Sequence, residues 1–437
     1  MTSTLTPKQQ KSATRAWALW DWAEQPYPTI MQTFVFPVYL ASAVAAAGTN
    51  VDAQIGLATA LAGIALAVTA PIIGRRSDET GKRKFWVVVN TYLLVAIMIA
   101  SFFVMPSPEF LLFGLVLYGL GSVIQESAFI NYYAMLKDVT TPKNIGRVSG
   151  WAWGLGYAGG ILLLAISLFG FILPGPAVEV DQGFSVRVVF LFAAVWTALF
   201  TLPLVFKVPE IPAKPGVRRE SIVESYKSLW RQLVTLRKQA PDTFKFLISS
   251  AVYRDGLAGV FTFGAVLGTL AFGFSQTEII IFGLAANLVA GIGAAVGGLL
   301  DDRLGSRTVI LASLVGLIIA GTGVFVFASQ GQITYWIFGL LLCLFVGPAQ
   351  ASSRTFVSRF TPKGREGEVF GLYQTTGRAV SFLSGTLWTV SISVAHTVFH
   401  IKDATIYGIW GLMLILIVGA LLLTRVNPRP AVLDSAQ

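Results

Sequence analysis

Apolar runs of about twenty residues, interrupted by short polar turns, recur along the whole chain. A helix rising 1.5 Å per residue needs roughly 20 mostly apolar residues to cross the hydrocarbon of a bilayer. Twelve stretches meet that length: 25–47, 54–74, 85–105, 109–136, 146–172, 187–206, 243–273, 277–300, 308–328, 332–357, 367–395 and 404–424. The pattern predicts an all-α integral membrane protein with 12 transmembrane helices. Most turns between runs are short and rich in Gly, Pro or charge, but the connection 207–242 is long. It opens with KVPEIPAKPG, an extended proline-rich linker. Beyond it Ile222, Tyr226, Leu229, Leu233 and Leu236 recur at spacings of three and four beside basic residues, which predicts an amphipathic helix on the membrane surface. The linker separates an N-terminal six-helix bundle, 1–206, from a C-terminal six-helix bundle, 243–437.

Short patterns recur at matching places in the two halves. GRRSDETGKRK follows span two and carries Gly74, Asp78, Gly81 and Arg83; GLLDDRLGSRT ends span eight and carries Gly298, Asp302, Gly305 and Arg307. Both read glycine, aspartate four on, glycine three further and arginine two further. TPKNIGRVSG after span four and TPKGREGEVFG after span ten repeat at nearly the same offset. Two pseudo-symmetric, parallel six-helix bundles resemble the major facilitator fold. In each turn the second glycine, Gly81 or Gly305, permits a tight reversal at positive φ. Asp78 and Asp302 can accept from N–H groups at a neighbouring helix N-terminus, where negative charge is favoured. Arg76, Arg83, Arg303 and Arg307 can bridge adjacent helices. Contacts of this kind close one side of a transporter and break when it opens, so these turns are gating candidates.

Composition agrees with the lipid assignment. Of 437 residues, 54% are hydrophobic and 12% charged, and mean hydropathy is +0.69; a soluble domain carries about 25% charge. The net charge of +10 could suggest nucleic acid, but its placement argues otherwise. Arg187 and Lys402 fall on one side and Arg254 and Arg378 inside spans. All other lysines and arginines fall on the side holding the N-terminus. That asymmetry predicts cytoplasmic termini in a multi-pass plasma-membrane protein, with basic loops facing anionic lipid. Cys343, the single cysteine, lies in an apolar run as a packing residue. The N-terminus shows no cleavage-site pattern, so span one is expected to double as the insertion signal.

Ionisable groups inside spans are costly and mark function by default. Glu126 in span four, Arg254 and Asp255 in span seven, and Arg378 in span eleven fall at similar depth, with Gln32 and Gln350 near the same level. The charges of this belt sum to zero, which suits a zwitterion, or a carboxylate exchanging a proton while an arginine holds an anionic group. Glu126 is the candidate proton carrier, because burial disfavours an ionised carboxyl. Arg254 and Asp255 point about 100° apart and cannot both face one cavity. Asp21 and Glu24, three apart on one helical face, mark an inner gate, or fall in line with the belt if span one starts earlier, or mark a tryptophan-anchored interfacial start; Pro26 and Pro28 should break or kink the helix there. Gly154, Gly156, Gly159 and Gly160, with Gly291, Gly293, Gly297 and Gly298, are small-residue stripes that allow close helix packing. His396 and His400 are four apart at the outer end of span eleven, but exposed loop histidines rarely bind metal, and no metal or cofactor is expected.

Several stretches carry a closer resemblance. AWALWDWAEQPYPT at 16–29, SAFINYYAMLKD with GRVSGWAWGLGYAGG at 127–160, VYRDG at 252–256 and GPAQASSRTFVSRFTPKGREGEVFGLYQTTGRAVSFLSG at 347–385 resemble the "unknown major facilitator" group, which includes autophagy-related vacuolar amino-acid effluxers. Asp21, Tyr253, Asp255, Gly256, Gln350, Ser353, Arg354, Glu368 and Gly371 match positions of the family pattern. The chain departs at Glu24–Gln25, where the family often has asparagine–serine, at Glu79, where arginine is common, and at Asn131–Tyr132–Tyr133; Arg378 keeps the sign of the usual lysine. The resemblance implies amino-acid efflux by alternating access.

The expected function is therefore a secondary active transporter of a small polar or zwitterionic solute, working as a monomer. No GxxxxGK[ST] is present to bind ATP, so proton coupling is the expected drive. A proton-driven antiporter of organic cations is the alternative; Arg254 and Arg378 argue against it. A membrane enzyme would need a nucleophile or metal constellation, and the chain shows no HxxxxD or histidine–cysteine cluster.

Overall fold

The computed structural model describes residues 6–175, 182–210, 237–238, 240–361, 364–401 and 403–427, and all regular elements among them are helical. The amphipathic helix expected around Ile222 to Leu236, together with Pro362, Lys363 and Lys402, lies outside the described residues. Eleven described helices are long and apolar enough to cross a membrane. They include α2 (Val51–Thr80), α3 (Arg83–Ser101), α4 (Leu111–Ala134), α5 (Ile145–Ser167), α6 (Phe184–Lys207) and α7 (Pro241–Phe272). They continue as α8 (Gln276–Leu304), α9 (Ser306–Val326), α10 (Leu340–Phe360), α11 (Glu366–Thr397) and α12 (Gly408–Thr424). Leu57, Leu61, Ile64 and Val68, at spacings of three and four on α2, are exposed and form a lipid-facing stripe.

The first pass departs most from expectation. Its helix, α1, runs Pro7–Glu24, ahead of the start expected at residue 25. Thr6 sets this boundary with a capping box: Gln9 N donates to Thr6 Oγ1 at 3.3 Å and Thr6 N to Gln9 Oε1 at 2.9 Å, with Pro7 in the first turn. The polar run PKQQKSATR hides this start from a hydropathy scan, while Trp17 and Trp20 are wholly buried one turn later. Pro26 and Pro28 do not break the pass. The chain widens into π-helix over Tyr27–Phe34, continues as Phe36–Tyr39 and widens again over Leu40–Val44. Widening absorbs the lost proline N–H and the ring's clash with the preceding turn. Asp21 and Glu24 thus sit inside the pass instead of at its entrance.

By contact density the chain separates into two units: Met1–Thr140 with Leu155–Arg219, and Thr141–Gly154 with Glu220–Gln437. In the first, Trp17 stacks on Tyr132 at 4.3 Å and donates to its carbonyl, while Tyr132 Oη donates back to Trp17 O. In the second, the first turns of α5 meet α8 through glycine. A Cβ on Gly150 would stand 2.7 Å from Gly298 Cα, and one on Gly154 3.1 Å from Gly291 O. Backbones this close tolerate no side chain, which explains why Thr141–Gly154 belongs with the second unit.

Gly81 ends α2 at φ 64° and ψ 21°, and Gly305 ends α8 at φ 85° and ψ 147°. The first conformation is left-handed helical; the second is almost confined to glycine. Nothing crowds a Cβ built on Gly305, so the penalty there is one of backbone conformation alone. Gly305→Ala is expected to destabilise the protein by about 2–3 kcal/mol and Gly81→Ala by about 1. Thermal unfolding in detergent should show the larger drop for Gly305→Ala; equal shifts would contradict the assignment.

Candidate functional site

In the first unit, α1 and α4 bring three carboxylates together. Ser122, Gln125 and Glu126 occupy one face of α4 at i, i+3 and i+4, and Glu24 meets that face at Gln125. Glu24 is 3% exposed and accepts from Gln125 Nε2 at 3.0 Å. Asp21 and Glu126 lie within electrostatic reach of it, and no cation bonds to it among the described residues. Gln32 Nε2 donates to Ser122 Oγ at 3.1 Å. Within this unit the α5 glycines admit side chains from α1: the Gln25 amide lies 3.0 Å from a Cβ built on Gly156 and 3.2 Å from one on Gly160, while Trp22 fills the space at Gly159. The sequence left Glu24 between a gate, the belt and an interfacial start; the earlier start of α1 meets the condition attached to the belt, and Gln125 was missed. The i, i+3, i+4 spacing of Ser122, Gln125 and Glu126 was the available signal.

In the second unit, Arg254 and Asp255 of α7 diverge as helical geometry requires. The Arg254 guanidinium lies 3.8 Å from the Tyr373 ring centre, donating to Tyr373 O at 3.1 Å and Gln374 Oε1 at 2.7 Å. Gly377 leaves room for it. Asp255 turns the other way. It accepts from Ser384 N at 2.6 Å and Ser384 Oγ at 3.2 Å, at the start of the second half of α11. That half begins at Leu383, because α11 is interrupted between Ala379 and Leu383 where a continuous helix was expected. Asp255 therefore serves as a helix N-terminal acceptor. Arg378 is half-buried in the last turn before the break, and Gln350 is half-buried on α10. The family-pattern residues Tyr253 and Ser353 meet at 2.6 Å; Ser353 Oγ donates to Ala349 O, so Tyr253 is the donor in that pair.

The repeated turns hold their neighbours by backbone. Asp302 accepts from Gly146 N at 2.8 Å and Arg147 N at 2.9 Å, at the N-terminus of α5. Arg359 binds Asp302 at 3.2 Å and the 1%-exposed Asp301 at 2.6 Å. Arg307 donates to Leu423 O and Thr424 O at the C-terminus of α12, where cations are favoured. In the first unit Arg83 bonds Asp78 through Nε at 2.8 Å and Asp138 at 3.2 Å. Ser77 Oγ donates to Gly74 O, and Glu79 pairs with Arg75 at 2.9 Å. Arg76 and Arg303 are exposed. Sequence reasoning missed Arg359, Asp301 and Glu210. Glu210 accepts from Lys84 N at 3.0 Å and Phe85 N at 3.2 Å at the start of α3, and burial pushes its carboxyl above the usual range despite those bonds.

Comparison with known proteins gives a consistent picture. A family profile described as vacuole effluxer Atg22-like matches residues 137–433. The uncharacterized MFS-type transporter YxiO of Bacillus subtilis is 28% identical over 98% of this chain and 97% of its own. Autophagy-related protein 22 of Cryptococcus neoformans is 24% identical over 60% of this chain, which spans about half the length of that relative. Among solved structures, the proton:xylose symporter XylE bound to 6-bromo-6-deoxy-D-glucose aligns at TM-score 0.72 with 12% identity, covering 98% of this chain and 97% of XylE. The transporter FucP in its outward conformation aligns at 0.68 with 13% identity, covering 96% and 98%. Identities this low show the fold alone: twelve transmembrane helices in the major facilitator arrangement.

Proposed function

We propose, for a chain that belongs to the Atg22-like vacuole effluxer family of major facilitator transporters, that its solute is small and zwitterionic, an amino acid first among candidates, and that protons drive its movement. The observation that carries this reading is Glu24, a carboxylate buried in the first unit that accepts from the Gln125 amide and bonds no cation among the described residues. A carboxylate buried in low dielectric inside a membrane protein is a candidate to take up and release a proton. The same carboxylate suits a solute ammonium group. Considered by itself, the second unit holds the Arg254 guanidinium flat on Tyr373 and fixed by Gln374, a geometry that suits a carboxylate, and Arg378 adds a second cation there. Asp255, occupied by Ser384, is structural in this account.

Asp78, Arg83, Asp302 and Arg307 are gating residues in this reading, because backbone and ion-pair contacts at helix ends can break and re-form in a transport cycle. The proposed setting is a cytoplasmic membrane with both termini cytoplasmic, from the placement of Lys and Arg. Efflux is the movement named in the family's description.

A second reading, export of organic cations in exchange for protons, is favoured by the acidic cluster and the aromatic packing of Trp17, Trp20 and Tyr132 beside it. Uptake into proteoliposomes under an imposed pH gradient separates the two. Zwitterionic amino acids should accumulate and cationic dyes should not. Accumulation of dyes alone would establish the second reading.

A further inference from the structure

A pocket of about 380 Å³ opens in the first unit where the start of α1 meets the end of α6. Lys8, Lys11 and Arg15 line it at spacings of three and four, and Leu19 continues the same helical face one turn deeper. Lys207 and Pro203 line it from α6. All four cations are exposed, and none meets a carboxylate among the described residues. Four like charges around one small space repel one another and call for an anion.

Beside its four cations the pocket is lined by the apolar Ala16, Leu19 and Pro203. Along α6, Leu199 and Phe206 fall on the same side as Pro203 by helical spacing, and both are exposed where a lipid chain can lie. A basic pocket between transmembrane helices is a recognised seat for an anionic headgroup. We propose that this pocket binds one anionic phospholipid, its phosphate among Lys8, Lys11, Arg15 and Lys207 and its acyl chains against Leu199 and Phe206. The site is independent of the transported solute and stands or falls separately from it.

The test uses the full-length protein in detergent micelles doped with either phosphatidylglycerol or phosphatidylcholine, with lipid retained per protein read by native mass spectrometry. Lys11→Gln/Arg15→Gln removes two pocket cations, and Lys8→Gln/Lys207→Gln removes the other two. Lys143→Gln/Arg425→Gln removes equal charge from exposed positions outside the pocket. Phosphatidylglycerol should be retained over phosphatidylcholine, and each pocket variant should weaken that retention about 30-fold, from two surface cations lost. The control pair should change it little, and all three variants should remain monodisperse on gel filtration. Equal retention of both lipids, or equal loss in the control pair, would overturn the proposal in favour of general surface charge. Displacement of the lipid by millimolar inorganic phosphate would overturn it in favour of a free-anion site.

Discussion

Glu24→Gln is expected to abolish accumulation driven by a pH gradient while leaving solute-for-solute exchange intact. The substitution is nearly isosteric and keeps an acceptor for Gln125 Nε2, so packing against α4 should survive. What it removes is the charge and the proton site at the centre of the acidic cluster. A gradient of one pH unit supports at most about tenfold accumulation per coupled proton, and the variant should show none, while exchange persists with weakened affinity for the solute ammonium. Glu126→Gln, at a half-buried position on the edge of the cluster, should reduce accumulation less. If Glu24→Gln accumulates solute like the wild type while Glu126→Gln does not, the proton carrier is the outer residue. Both measurements use the same vesicles, with exchange as the internal control for folded protein.

Arg354→Ala should give the largest loss of stability. Arg354 is 1% exposed in α10, and donates to Ser149 Oγ at 2.9 Å and Ser149 O at 2.7 Å in the first turns of α5, with its guanidinium 5.7 Å from the Trp153 ring. Truncation removes two charge-assisted hydrogen bonds, leaves a buried carbonyl poorly paired and opens a void the size of a long side chain. The expected cost is about 3–5 kcal/mol, read as a fall in unfolding temperature in detergent and in the yield of monodisperse protein. Arg354→Lys keeps the charge but cannot reach both Ser149 oxygens in one plane, so it should fall between the two. A wild-type unfolding temperature for Arg354→Ala would mean that this contact contributes little to holding α5 against α10.

The membrane helices after the first pass were legible from apolar run length, because lipid imposes that length directly. The repeated turns were also legible, because their chemistry is local. A glycine at positive φ and an aspartate aimed at a helix N-terminus need only a few residues, and Gly305 and Asp302 do both. Which helix Asp302 would hold was not legible, since the partner α5 lies far away in sequence. The first pass was misread because its boundary is set by a Thr6–Gln9 capping box and tryptophan burial, neither of which raises hydropathy. That late start is why Asp21 and Glu24 were read chiefly as entrance residues, with the belt only as the alternative for an earlier start. The sequence left Asp255 open between binding and internal pairing; its bonds to Ser384 depend on the interruption of α11, which no proline marks in the sequence. Its partner is a backbone N–H, a group present at every non-proline residue and so without a sequence signature. Arg254 kept its candidacy because its neighbours Tyr373 and Gln374 orient the guanidinium without neutralising it.

Proton movement recorded in lightly buffered proteoliposomes, on adding solute with no pH gradient imposed, tests the transport account most directly. Wild-type protein should move protons in fixed proportion to solute, and Glu24→Gln should move solute by exchange with no proton signal. Solute flux in the wild type with no proton movement, at a rate indifferent to pH, would contradict the role given to the acidic cluster.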